Sequence, residues 1–262
     1  MTKQDDVFFK DSYTDSIFEY AKNGWGVNNL NERLTTGIKD LDDEIGPLLP
    51  GDLMIITSDG PFGKTSLALN FIAKGKHPNS VLYFSLDQPS FRVYKKLIDI
   101  DAKTDTRYET KNKKVLAKLE KAVDWLDRDD VLVCEEPNPS IDFMRDMICQ
   151  AGVPAVFVDS LQMFPREKDE TIADVVKKLK ALAIERHVPI VVLGKTTEEE
   201  QLADVVLKIE RIDGGPYVNI NITKNRYGYP KKLKFLFCAV ISDFSREEEK
   251  QYDKARGCGT FA

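Results

Sequence analysis

The stretch 52-DLMIITSDGPFGKTSLALNFIAKG-75 joins a short apolar run to a helical pattern through a glycine-bearing loop. Its first half, DLMIIT, is apolar without alternation, as in a strand buried on both faces. Its second half, GKTSLALNFIAKG, suits a helix that closes at Gly75. Between them lies SDGPFGKT, which follows the phosphate-loop pattern G-x-x-x-x-G-K-[ST] except that Ser58 replaces the first glycine. Gly63 permits close backbone approach, Lys64 can pair with β- and γ-phosphates, and the Thr65 hydroxyl can ligate Mg²⁺. A helix starting at Gly63 points free N–H groups at an anion. Ser58, Gly60, Gly63, Lys64, Thr65 and Ser66 are therefore the expected nucleotide-binding residues. A surface lysine at a helix start is the bland alternative, and the strand–loop–helix context argues against it.

The same rhythm continues along the chain. VLYFSL, VLVC, PAVFVD and PIVVL are short apolar runs suited to strands buried on both faces. KKVLAKLEKAVDWL places Val115, Leu116, Leu119, Ala122, Val123 and Leu126 on one helical face. ETIADVVKKLKALAIERH does the same with Ile172, Val175, Val176, Leu179 and Ala183. After residue 204 three strands follow with little between them, and Val218, Ile220 and Ile222 alternate with Asn219, Asn221 and Thr223. This predicts an α/β fold with an antiparallel extension at the sheet edge. Asp159 ends the run AVFVD, where a carboxylate can help hold Mg²⁺ through its water shell. Asp87 follows VLYFSL, and in an open α/β sheet ligands bind beyond the carboxyl ends of the strands. That places Asp87 to orient an attacking water.

Composition bounds the rest. The 262 residues carry a formal charge of −5 and 42% hydrophobic residues, without an apolar stretch long enough to span a membrane. The acidic start MTKQDDVFFKDSYTD lacks the features of a secretory signal. An acidic chain lacks the overall basic footprint of a strong nucleic-acid binder. The four cysteines, Cys134, Cys149, Cys238 and Cys258, form no C-x-x-C pair, and the first three read as small buried hydrophobes. A reducing, cytoplasmic setting is expected. Residues 1–32 read as an extension whose SIFEYAKNG segment is a short helix presenting Ile17, Phe18 and Tyr20. It must dock on its own core or on a neighbouring subunit. Residues 245–262 read as a charged tail.

Taken in order, RLTTGIKDLDDEIGPLLPGDLMII, SDGPFGKTS, VLYFSLDQPS, VFVDSLQMF, LKALAIERHVPIVVL and ITKNRYGYP resemble the ATPase domain of DnaB-type replicative helicases, within the RecA-like superfamily. The resemblance covers residues 33–244. It implies a RecA-like core with a mostly parallel sheet flanked by helices. It also implies ATP and Mg²⁺ as cofactors, and a ring, usually a hexamer, with ATP between subunits. In that arrangement Lys224 and Arg226 reach the neighbouring subunit's ATP, Arg226 as an arginine finger worth about 10³ to 10⁵ in rate.

Three departures from the family pattern stand beside this. Asp87 occupies the place of a catalytic glutamate, one methylene shorter. Lys195 occupies the place of a glutamine that senses the γ-phosphate, and a lysine meets phosphate as a point charge. The loop MFPREKDETI mixes Arg166 and Lys168 with Glu167, Asp169 and Glu170, while the short TTEEEQLAD carries Glu198, Glu199 and Glu200. Glutamates repel a phosphate backbone, so these are poor grips on single-stranded DNA. The departures point to slow hydrolysis. Two functions stay open at this stage: a helicase or translocase acting in DNA replication, or a non-helicase paralogue that uses ATP for assembly or for docking on a replication or recombination protein.

Overall fold

A computed structural model describes residues 34–75, 81–128, 131–195, 198–212 and 215–246. The elements run α1 (Lys39–Ile45), β1 (Leu53–Ser58), α2 (Lys64–Gly75), β2 (Val81–Ser85), α3 (Ser90–Ala102), α4 (Lys113–Arg128), β3 (Val131–Cys134), α5 (Ile141–Ala151), β4 (Ala155–Asp159), α6 (Ile172–Arg186), β5 (Ile190–Gly194), β6 (Val205–Arg211), β7 (Tyr217–Asn225), β8 (Lys231–Cys238) and β9 (Asp243–Ser245). Short 3₁₀ turns cover Leu161–Met163 and Glu198–Leu202. The expected helix around Ile17, Phe18 and Tyr20 lies outside the described residues, as does the tail from residue 247; Ser245, read as the start of that tail, instead ends β9 and pairs with Leu236.

The strands form one sheet in the order β3-β2-β4-β5-β1-β6-β7-β8-β9. Six strands, β3 to β6 in that order, are parallel, and β7, β8 and β9 extend the sheet antiparallel from β6. Every residue of β1, β2, β4 and β5 is buried, which is why these strands read as unbroken apolar runs. The antiparallel strand β7 instead buries Val218, Ile220 and Ile222 and alternates, as its sequence predicts.

Helices cover both faces. On one side, α2, α3 and α4 pack through Leu67, Phe71, Val93, Leu97 and Trp125 onto Met54, Ile56, Tyr83 and Phe157. On the other, α5 and α6 pack through Met144, Ile148, Val175, Val176 and Leu179 onto Ile55, Leu82, Phe84 and Val158. The helix caps are local: Ser140 accepts from the Phe143 N–H at the start of α5, and Thr171 and Asp174 form a capping box on α6. Asn70 in α2 ties the phosphate-loop helix to the last strand. Its amide donates to the Ser242 carbonyl at 2.7 Å and accepts the Phe244 N–H at 3.1 Å.

Three readings are corrected. In α4 the packed stripe is Val115, Leu119, Ala122, Trp125 and Leu126, while Leu116 and Val123 are 40% and 51% exposed. The helix covers only the margin of the sheet, so its apolar stripe is narrower than the sequence suggests. Strand β3 is not buried on both faces: it is the sheet edge, and Leu132 is exposed. The first three cysteines are not buried either: Cys149 is exposed on α5, and Cys134 and Cys238 are half-buried near strand ends.

Candidate nucleotide-binding site

The parallel strands bring the predicted residues to one edge of the sheet. Ser58 is the last, fully buried residue of β1, and Asp159 ends β4 two strands away. The loop between β1 and α2 turns at Gly63, where φ is +98° and any Cβ would sit 2.9 Å from the Phe237 ring. At Gly60 a Cβ would meet the Phe62 ring at 2.8 Å. Gly63 is therefore required by its backbone angle, while at both glycines a side chain would have to displace a phenylalanine ring. The first helical bond of α2 runs from the Leu67 N–H to the Gly63 carbonyl. The N–H groups of Lys64, Thr65 and Ser66 precede it and form the anion-facing end of the helix. The Ser66 residue itself is buried, so only its backbone N–H is available to a ligand at this helix end.

Lys64 Nζ donates to Ser58 Oγ at 2.9 Å and lies 3.4 Å from the Gly60 carbonyl. The serine that replaces the usual glycine thus gives the ammonium an acceptor inside the loop. Burial lowers the pKa of Lys64, the Asp159 charge raises it, and the Lys195 charge lowers it again. Thr65 Oγ1 donates to Asp159 Oδ2 at 2.7 Å. With its proton committed to the carboxylate, the hydroxyl keeps its lone pairs for a cation. Asp159 is 4% exposed, and burial raises its pKa while the Thr65 and Tyr83 hydroxyls pull it down.

Asp87 sits on the exposed bend after β2, above a shallow groove of about 340 Å³ lined by Ser85, Leu86, Gln88, Pro89, Glu135 and Pro137. Its charge acts on Lys64 and Asp159. Lys195 is exposed directly after β5, and its charge also reaches Lys64. Lys64, Thr65, Asp159, Asp87 and Lys195 therefore share one edge.

Lys224 and Arg226 do not. Asn225 ends β7 opposite Val205, the first residue of β6, at the amino end of the parallel strands. Arg226 donates its N–H to the Asp204 carbonyl, whose own N–H bonds Leu53 at the start of β1. A strand the length of β1 separates that edge from the phosphate loop, about 17 Å. Arg226 Nη1 pairs with Asp204 Oδ1 at 2.6 Å, and Lys224 Nζ donates to the Gln201 carbonyl at 2.6 Å. Asp204 is buried and also accepts from Lys180 Nζ at 2.5 Å and the Leu53 N–H at 2.8 Å.

The family described as the DnaB-like helicase C terminal domain matches residues 33–200. The chain belongs to this family. Among curated relatives it is 25% identical over 252 residues to a probable plasmid replicative DNA helicase of Chlamydia trachomatis, covering 83% of this chain and 56% of that protein. It is 28% identical over 281 residues to the replicative DNA helicase DnaB of Haemophilus influenzae, covering 90% and 59%. The chain thus spans little more than half the length of these relatives. Among solved structures, one described as an ATPase domain superposes with a TM-score of 0.77 at 17% identity, over 92% of this chain and 99% of the other. A DnaB-like replicative helicase described with its interactions with primase gives 0.73 at 17% identity, over 94% and 68%. The RadB recombinase gives 0.56 at 16% identity, over 81% and 99%. These likenesses show that the fold of this DnaB-like chain is RecA-like.

The DnaB-like site holds more than its motifs. Lys96 of α3 donates to Gln88 Oε1 at 3.3 Å, and the charges of Asp159 and Asp87 support an ammonium that burial disfavours. Glu135, after β3, accepts the Ser90 N–H at the start of α3 and so holds the helix that follows Asp87. Tyr83 of β2 donates to Asp159 Oδ2 at 2.7 Å. A lysine beside the apolar positions Val93, Leu97 and Ile100, and a tyrosine inside a buried strand, are the sequence signals that could have flagged two of them. In the loop after β4, Glu170 pairs with Lys178 at 2.7 Å, while Arg166 and Lys168 are exposed. Glu200 lies half-buried in the 3₁₀ turn and its charge acts on Lys208, which in turn pairs with Asp59 of the phosphate loop at 3.1 Å.

Proposed function

We propose that this chain is the motor of a DnaB-like helicase or translocase that binds and hydrolyses ATP and acts on single-stranded DNA in replication. The convergence of Lys64, Thr65 and Asp159 on one edge of the sheet carries this reading. The N–H groups of Lys64, Thr65 and Ser66 and the Lys64 ammonium hold the phosphates. Thr65 and Asp159 are hard oxygen donors of the kind Mg²⁺ takes, and one or two protein oxygens with water and phosphate complete such a site. Mg²⁺ held there by Thr65 and Asp159 would supply positive charge against the charge developing on the phosphates. Asp87 orients a water whose oxygen bonds the γ-phosphorus as the bond to ADP breaks, and Asp87 accepts its proton. Lys195 meets the γ-phosphate as a point charge.

Arg226 and Lys224 lie too far from their own phosphate loop to act there, which supports a site completed by a neighbouring copy. Repeating that head-to-tail contact closes a ring, and six copies is the size the family reading favours. A replication protein is the proposed partner, and the cytoplasm the proposed setting. Among the described residues no helix is long and apolar enough to cross a membrane.

A second reading, a paralogue that uses ATP to assemble or dock, draws support from the short Asp87, from Lys195 and from Glu200. ATP turnover measured across a titration of single-stranded DNA separates the two. The first reading expects turnover to rise several-fold with DNA at low salt, and the stimulation to fade as salt rises. Turnover indifferent to DNA, with no binding of DNA at low salt, would overturn it in favour of the second.

A further inference from the structure

Tyr83 is fully buried in β2, directly paired in register with Phe157 of β4, with the two rings stacked at 6.1 Å and 20°. Its hydroxyl is the one polar atom its side chain carries, and that atom donates to Asp159 Oδ2 at 2.7 Å. The Thr65 hydroxyl donates to the same oxygen at 2.7 Å. Two donors on Oδ2 restrain the rotation of the carboxylate and leave Oδ1 as the oxygen that neither hydroxyl occupies. Thr65 belongs to a loop and helix end that must adjust to phosphate. Tyr83 belongs to the sheet itself, and its ring is held by the core beneath α2 and α3.

We propose that Tyr83 is the positioning residue of the cation site, holding the Asp159 carboxylate in the orientation that receives Mg²⁺ when nucleotide binds. It acts through Asp159 and touches neither nucleotide nor metal. Hydrogen-bond partners behind a metal ligand set its aim, and their loss typically costs about 10- to 100-fold in metal affinity. The inference rests on reading Lys64, Thr65 and Asp159 as a Mg²⁺–nucleotide site.

The test is Tyr83→Phe, which keeps the ring against Phe157 and removes only the hydroxyl. Binding of ATPγS to the full chain is measured first in EDTA and then across a Mg²⁺ titration. The expected result is a Mg²⁺ half-saturation raised about tenfold, with the metal-free affinity unchanged. A merely structural role would weaken both together, and that result overturns the proposal, as does an unchanged half-saturation. A double-mutant cycle with Asp159→Asn provides the second arm. Once the carboxylate is gone, Tyr83→Phe should shift the half-saturation no further, and an equal shift in that background contradicts the proposal. If the wild-type chain binds ATPγS with no response to Mg²⁺, the site reading itself falls and takes the proposal with it.

Discussion

Lys64→Ala is expected to weaken ATP binding about 10- to 100-fold, the loss of a hydrogen bond between charged groups, about 1.5–3 kcal/mol. Turnover at saturating ATP is expected to fall further, by about 10² to 10³, because on the proposed reading Lys64 meets charge that develops on the phosphates in the transition state. The fold should not suffer. The Lys64 ammonium contacts Ser58 and the Gly60 carbonyl, both within its own loop. Calorimetric titration with ATP and a phosphate-release assay measure the two effects, and an unchanged melting temperature shows that the fold is intact. If ATP affinity and turnover both survive the substitution, the phosphate-loop assignment is wrong.

Arg226→Ala has a different signature. Removing an arginine finger is expected to lower turnover by about 10³ to 10⁵ in the assembled protein. ATP affinity of a single subunit should be unchanged, because Arg226 lies about 17 Å from its own phosphate loop, a strand length away. Stability should hold as well. The Arg226 side chain is 66% exposed, and the buried Asp204 carboxylate that it pairs with does not depend on it alone. Asp204 would keep Lys180 and the Leu53 N–H as partners. Retained affinity with lost turnover therefore marks a group that acts on another subunit's nucleotide. A variant that hydrolyses ATP at the wild-type rate when assembled would return Arg226 to the role of an ordinary surface arginine.

The strand–loop–helix around Lys64 was legible in the sequence because the phosphate-loop pattern we propose for it is built of contiguous residues, with a glycine at the turn, a lysine beside it and a hydroxyl next. Asp159 was legible because a buried parallel strand is an unbroken apolar run and its end is marked by the first charge. The parallel core followed from the same runs, and the antiparallel extension from the alternation at Val218, Ile220 and Ile222. Tyr83 was not legible as a partner of Asp159. The two are 76 positions apart, and only the register of β2 against β4 brings them together. Lys96 and Glu135 were missed for the same reason, since each meets the site through an element its own neighbours in sequence do not specify. Helical spacing could not show that α4 lies at the margin of the sheet, where Leu116 and Val123 remain in solvent. The distance of Arg226 from Lys64 was equally hidden, because strand direction, not sequence separation, sets the edge on which a residue emerges.

That distance leads to the most direct measurement of a shared site. Lys64→Ala and Arg226→Ala each inactivate a different half of every interface. Mixed in equal amounts and reassembled, they should pair an intact loop from one variant with an intact Arg226 from the other at about a quarter of the interfaces of a head-to-tail ring. The mixture is expected to regain ATP turnover, up to about a quarter of the wild-type rate, while neither variant alone does so. A mixture that co-assembles yet stays as inactive as its parents would contradict a nucleotide site built from two copies of this chain.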